Sequence, residues 1–326
     1  MGEMTYLEAI REALRFEMNR DPDVFLLGED IGIHGGAFTV TKGLIEEFGP
    51  ARVRDTPISE GVIVGAAVGA AMNGLRPVAE IMFVDWITLA MDQVVNQAAK
   101  VSYMFSGQYK APLVIRAPSG GGGGKGIAAQ HSQCFEAWFA HVPGLKVVVP
   151  ATPADANGLL KTAIRDDNPV LFLEQKALYN LRGEVPDGDH AIPLGQARVV
   201  REGRDATLVT IGSLLHEALK AVERLEADGV DVEVIDLRTA KPLDTQTVVS
   251  SVKKTNRVVV AHEAVKTCGV GAEIAATIAE EALEYLDAPI GRIGALDVPV
   301  AYNDNEEARI LPQSIEIEQK VRALFE

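Results

Sequence analysis

The chain has 326 residues, 47% hydrophobic and 24% charged, which is the balance of an ordinary soluble globular protein with room for two domains. Its 46 acids against 31 Lys and Arg leave a net charge of −15, so nucleic acid, which needs a basic surface, is excluded as a partner. Two cysteines, Cys134 and Cys268, give no metal spacing and suit a reducing compartment; no basic segment followed by an apolar run opens the chain, and a cytoplasmic protein with no membrane role is expected.

Thr5 followed by Glu8 is a capping-box pattern, predicting a helix that runs to about Arg20 and is stopped by Asp21-Pro22. Val24–Leu27 reads as a buried strand. The run TPISEGVIVGAAVGAAMNGLRP, Thr56 to Pro77, predicts a buried helix in a tight interface. Its only charge before Arg76 is Glu60, and Gly61, Gly65 and Gly69 recur four apart, a spacing that makes one nearly side-chain-free stripe. At about 15 apolar residues it falls short of the roughly 20 a membrane span needs. A lone carboxylate at the mouth of an apolar helix has two readings. It caps the helix N-terminus, or it has a chemical job.

Pro77–Phe83 is the next strand, and Ile87–Phe105 shows helical periodicity. Pro112–Pro118 is a strand leading into SGGGGGKG, Ser119–Gly126. That run fails the phosphate-loop spacing, because Ser119 stands at the first glycine position and Gly126 follows Lys125. A flexible loop over a site is the better reading, since five consecutive glycines carry a large ordering entropy. His131 follows closely and is open to a structural or a functional role. Leu145–Pro150 is a strand, Ala154–Asp166 a helix and Pro169–Glu174 a strand, an alternation that implies a parallel sheet covered by helices.

The pattern lapses between Gln175 and Gln196, then resumes with strands at Ala206–Ile211, Val230–Asp236 and Arg257–Glu263 and helices at Leu214–Asp228, Ala272–Leu286 and Pro312–Phe325. The expected fold is two three-layer α/β domains, residues 1–185 and 201–326, joined by a linker at 186–200. From Glu263 onward 13 acids face 5 bases, a bias that serves solubility or an electropositive protein partner.

Taken in order, PISEGVIVGAAVGAAMNGLRPVAEIMF, DQVVNQAAK, QHSQ and PGLKVVVPATPADANGLLKTAIRDDNPVLFLE closely resemble the beta subunit of the thiamine-diphosphate-dependent 2-oxo acid dehydrogenases, with the pyruvate and acetoin branches nearest. The resemblance covers nearly the whole chain and is strongest from Arg54 to Glu174. It implies a pyrimidine-binding domain followed by a transketolase C-terminal domain. It also implies an α2β2 assembly with an alpha subunit that binds magnesium, docking through the C-terminal domain onto a lipoyl-bearing acyltransferase core. Full-length thiamine enzymes carry a GDG segment followed by NN; DGD at Asp187–Asp189 is not that pair, so the diphosphate half is expected on the alpha subunit.

The same resemblance assigns roles. Glu60 matches the acid that hydrogen-bonds the cofactor's aminopyrimidine ring nitrogen, favouring the imino tautomer that takes the thiazolium proton. Trp86 falls where the family places a Phe or Tyr against the pyrimidine, and core packing is its plain alternative. His131 matches the histidine that assists acyl transfer to lipoyl, a task suited to an imidazole, which titrates near neutrality. Leu113, Ala163, Ile164, Asp166 and Asn168 match a structural potassium site, while a helix C-terminus capped by Asp and Asn is the plain reading of AIRDDNP. The implied substrate is a 2-oxo acid or acetoin. Phe135 after Cys134, where the branched-chain branch tends to have proline, leans towards pyruvate or acetoin; a branched-chain subunit is the alternative and a non-catalytic scaffold the weaker one. No strand–GxGxxG–helix fingerprint supports a dinucleotide oxidoreductase.

Overall fold

A computed structural model describes residues 2–123 and 126–326, so Gly124 and Lys125 of the glycine run lie outside the described residues. The chain divides into two compact α/β units, one made of residues 1–119 and 138–194, the other of 120–137 and 195–326.

The first unit opens with β1 (Gly2–Thr5) and α1 (Tyr6–Arg20). The capping box is present: the Glu8 N–H donates to Thr5 Oγ1 at 3.1 Å, and the Thr5 N–H donates to the Glu8 carboxylate at 2.7 Å. β2 (Val24–Glu29), α2 (Leu44–Phe48), β3 (Val53–Thr56), α3 (Glu60–Met72), β4 (Arg76–Glu80), α4 (Val101–Met104), β5 (Val114–Ser119), α5 (Glu136–Ala140), β6 (Lys146–Val148), α6 (Pro153–Arg165), β7 (Val170–Gln175) and β8 (Arg182–Val185) follow. Its main sheet runs β6-β7-β5-β4-β2-β3, all parallel, and its central strands β5 and β7 are buried along their whole length. α1 and α6 pack together over it. Ile10, Leu14 and Met18 meet Leu159, Leu160 and Ala163 in one core, each large side chain contributing about 1.5–3 kcal/mol on burial. Asn157 Nδ2 donates to the Ala9 carbonyl at 2.9 Å and fixes the helix pair in register.

The second unit contains β9 (Arg198–Arg201), β10 (Ala206–Thr210), α7 (Leu214–Ala227), β11 (Val232–Asp236), β12 (Thr239–Lys241), α8 (Thr245–Thr255), β13 (Val258–Val265), α9 (Val270–Ala282), β14 (Gly291–Ala295), α10 (Asp304–Ile310) and α11 (Ser314–Arg322). Its sheet runs β14-β13-β10-β11-β9, parallel except for the antiparallel edge strand β9.

Three sequence expectations are corrected. Ile87–Phe105 is not one helix: a 3₁₀ turn (Val84–Ala90), a π turn (Gln93–Ala98) and α4 replace it. Packing against α3 decides the geometry there, because a Cβ on Gly61 would stand 3.3 Å from the Leu89 carbonyl and one on Gly65 3.3 Å from Gln93 Oε1. The glycine stripe of α3 therefore meets its own chain at two of its three positions. Nor is α3 buried all round, since Val62 is 66% exposed while Ile63, Val64, Ala67, Val68 and Ala71 are buried. Finally, the lapse in pattern after Gln175 conceals a strand: β8 pairs antiparallel with β1, Gly2 opposite Val185, a ribbon of short polar strands with no hydrophobic period to announce it.

Candidate active site

In the first unit the acids stand where a parallel sheet places ligands, beyond the carboxyl ends of its strands. Glu60 is the first residue of α3, half-buried, behind an N-cap Ser59 whose side chain makes no capping hydrogen bond. Glu29 ends β2. Burial raises its carboxyl above the usual range, and the negative charges of Asp30 and Glu60 raise it further. Glu29 is a candidate site residue the sequence reading missed, and its position at a strand's C-terminal end was the available signal. Trp86 is half-buried on the 3₁₀ turn packed against α3, and its N–H donates to the Phe83 carbonyl at 3.1 Å. Carboxylates with an aromatic face fit an aminopyrimidine, which presents polar ring nitrogens and a flat π surface.

Beneath this corner lies a buried ionic network. Arg116 Nε donates to Glu174 at 2.6 Å and Nη1 to Glu80 at 2.7 Å, while the Tyr179 hydroxyl donates to the other Glu174 oxygen at 2.7 Å. Burial pushes the Glu80 carboxyl up, and the adjacent guanidinium opposes that shift. Tyr179 continues the support, since its ring lies 5.0 Å from Phe38, which meets Phe83 edge-on at 5.5 Å. Phe83 is the residue before the 3₁₀ turn that carries Trp86.

His131 belongs to the second unit, on the excursion 120–137. It is half-buried in a tight turn, its N–H donating to the Ala128 carbonyl at 3.1 Å, which also accepts from Ser132 Oγ at 2.8 Å. Ala128 has a left-handed backbone, φ +71°. Five residues after His131, Glu136 is buried, and desolvation, reinforced by the charge of Glu263, pushes its carboxyl up to about 7. A carboxyl whose folded value exceeds its ordinary 4.5 binds its proton more tightly folded than unfolded. Its stabilising contribution is complete below about 4.5 and is lost as pH rises through about 7. Glu136→Gln copies the protonated form, so the variant is expected to match the parent near pH 5 and to exceed it at pH 8.5, by about 1–3 kcal/mol. Urea unfolding at the two pH values reads the difference, and a pH-independent offset would show that Glu136 does not titrate there.

The residues proposed for an ion lie where α6 ends. Asp166 caps it with an N–H to the Ala163 carbonyl at 3.3 Å, and Asp166 Oδ1 accepts the Asn168 N–H at 2.9 Å, as the plain capping reading expects. The Ile164 and Asp166 carbonyls each accept from Arg76 Nη1 at 3.1 Å, the Leu113 carbonyl accepts the Val170 N–H at 3.0 Å, and Lys146 pairs with the Asp166 carboxylate. The donor set is all oxygen and each carbonyl keeps a second lone pair, which fits a hard monovalent ion. Among the described residues no cluster of three or more His, Cys, Asp or Glu could hold a metal, and no helix is long and apolar enough to cross a membrane.

In the acidic tail Glu306 is exposed, whereas Glu307 is 1% exposed and packed inside the second unit.

Residues 2–182 match the transketolase pyrimidine-binding domain family and residues 195–317 the transketolase C-terminal domain family. The chain is 50% identical over 325 residues to a pyruvate dehydrogenase E1 component subunit beta of Rhizobium meliloti, covering 99% of this chain and 70% of that one. It is 48% identical to the corresponding Rickettsia felis subunit, covering 98% of each, and 46% identical to a 2-oxoisovalerate dehydrogenase subunit beta of Bacillus subtilis along the whole of both. A solved split-gene transketolase, an inactive beta4 tetramer, superposes with a TM-score of 0.81 at 25% identity, covering 99% of this chain and 98% of its own. The chain thus belongs to the transketolase-like family, in the group of E1 beta subunits of the 2-oxo acid dehydrogenases.

Proposed function

We propose that the chain is the beta subunit of the E1 component of a 2-oxo acid dehydrogenase complex, an oxidoreductase subunit whose substrate is pyruvate. The observation that carries this reading is the similarity to such subunits along essentially the full chain. The equally complete match to a 2-oxoisovalerate subunit supports a second reading, in which a branched 2-oxo acid is the substrate. Acetoin remains an arm of the test.

Thiamine diphosphate, shared with an alpha subunit that supplies magnesium and the diphosphate site, provides a carbon nucleophile for cleaving the bond next to a carbonyl. Glu60 holds a proton at the pyrimidine side of that cofactor, beside Glu29, whose carboxyl is raised by burial and by the charges of Asp30 and Glu60. Trp86 offers the flat face on which the ring rests. His131 supplies a proton donor for acyl transfer to a lipoyl acceptor. Leu113, Ala163, Ile164, Asp166 and Asn168 hold potassium. Two chains assemble with two alpha chains, and the acidic second unit docks a basic segment of the acyltransferase core.

The test is co-expression with the alpha subunit, then dye-coupled turnover of pyruvate, acetoin and branched 2-oxo acids in potassium and sodium buffers. Lipoyl acylation is followed in parallel, for the parent and for His131→Ala. Pyruvate turnover only in the reconstituted enzyme, with His131→Ala losing acylation at least tenfold more than dye reduction, is expected. An isolated chain active by itself, or equal losses in both assays, would refute the corresponding assignment.

A further inference from the structure

Glu263 is not among the residues that the family resemblance assigns, yet it joins three segments of the second unit. It stands near the end of β13, 8% exposed. Its Oε1 accepts the Gly121 N–H at 2.6 Å and faces the Cys134 thiol at 3.8 Å. Its other oxygen accepts the hydroxyl of Ser213, the residue before α7. Gly121 lies before His131 in the chain and Cys134 three residues after it. One carboxylate therefore holds both arms of the loop, and His131 lies on the returning arm, three residues before Cys134. The neck is closed beside this clamp, where the Gly120 N–H donates to the Gln133 carbonyl at 2.9 Å.

Gly121 and Gly126 have no room for a side chain. A Cβ on Gly121 would stand 2.5 Å from Leu311 Cδ1, and one on Gly126, at φ +45°, only 1.6 Å from the Tyr302 carbonyl oxygen. These two glycines thus sit against the stretch around α10, and Gly121 is pinned from the sheet side by Glu263. Hydrogen bonds from a backbone amide to a buried carboxylate are charge-assisted, so this pin is stronger than a neutral contact.

We propose that Glu263 is a positioning residue for His131: by clamping the two arms of the loop to β13 and α7, it fixes where the imidazole is presented. The inference rests on the proposed role of His131 in acyl transfer. A purely structural carboxylate would lower both activities together. A positioning one separates them, and Gln, which keeps an acceptor for the Gly121 N–H, restores much of what Ala loses.

The test uses the reconstituted α2β2 enzyme carrying Glu263→Ala, Glu263→Gln or Ser213→Ala. Amide exchange over 119–123 and 131–136 is expected to rise at least tenfold in Glu263→Ala, with α9 and β10 unchanged. Lipoyl acylation should fall at least tenfold while dye-coupled cleavage stays within about threefold, and Glu263→Gln should recover more than half of the loss. Should Glu263→Ala not fold, Ser213→Ala, which removes one tether, should show the same separation at smaller size. Unchanged loop exchange, or parallel losses with Gln no better than Ala, overturns the proposal. His131→Ala distinguishes the two failures. If it leaves acylation intact, the role of His131 falls and the positioning inference with it, whereas a strong His131→Ala defect beside an innocuous Glu263→Ala rejects Glu263 alone.

Discussion

Glu60→Gln is expected to lower turnover of the reconstituted enzyme at least 100-fold, about 2.7 kcal/mol of barrier, with an unchanged circular dichroism spectrum and melting temperature. Gln preserves length and the capacity to hydrogen-bond but cannot take up a proton. The side chain starts α3 without serving as its side-chain cap, since the cap position belongs to Ser59, so little helix stability rides on the exchange. Fold and activity therefore separate cleanly at this residue. Turnover within threefold of the parent would mean that Glu60 merely offsets the helix N-terminus and that the proton is handled elsewhere, Glu29 being the nearest candidate.

Arg116→Met is expected to destabilise the first unit by about 3–5 kcal/mol at pH 7, the range for breaking a buried ionic cluster from one side. The guanidinium is buried and bonded to two carboxylates, so its removal leaves Glu80 and Glu174 facing each other with no cation between them. Glu80 is already pushed towards its protonated form by burial, and taking up a proton there relieves part of the loss. The penalty should accordingly shrink as pH falls from 8 to 5. The triple variant Arg116→Met with Glu80→Gln and Glu174→Gln should regain most of the stability, because an uncharged cluster carries no unpaired charge. Urea unfolding of the single and triple variants across that pH range measures both effects. A single variant within 1 kcal/mol of the parent at pH 7 would show that water or a neighbouring group replaces the cation.

The sequence disclosed most where local chemistry and tertiary packing agree. The Thr5–Glu8 box, the apolar runs of β5 and β7, and the amphipathic face of α6 each carry their own signal and sit where they were expected. The 84–104 region failed because its backbone follows the surface of α3, not its own periodicity. β1 and β8 failed because a two-stranded edge ribbon buries little and needs no apolar pattern. In the site, Glu60 was conspicuous as the one charge in an apolar run, whereas Glu29 sits in a chain segment of ordinary polarity. The Glu263 clamp was invisible for a different reason, because its partners lie more than 120 positions away in the chain at Gly121 and Cys134. Glu307 was equally illegible, a buried acid in a polar neighbourhood.

The two units are interleaved in the chain: residues 120–137 leave the first unit and pack with a body whose remaining residues begin only at 195. During synthesis the first unit can complete its parallel sheet once β7 is made, but the segment bearing His131 has nothing to rest on. Gly121 waits for Glu263 and Leu311, and Gly126 for Tyr302. At about 5–20 residues per second that wait lasts on the order of ten seconds or more. Through it the ribosome carries a folded domain with an open glycine-rich tether, the stretch a protease or chaperone reaches first. His131 is therefore among the last parts of the molecule to acquire a fixed place, and an unfinished chain cannot present it.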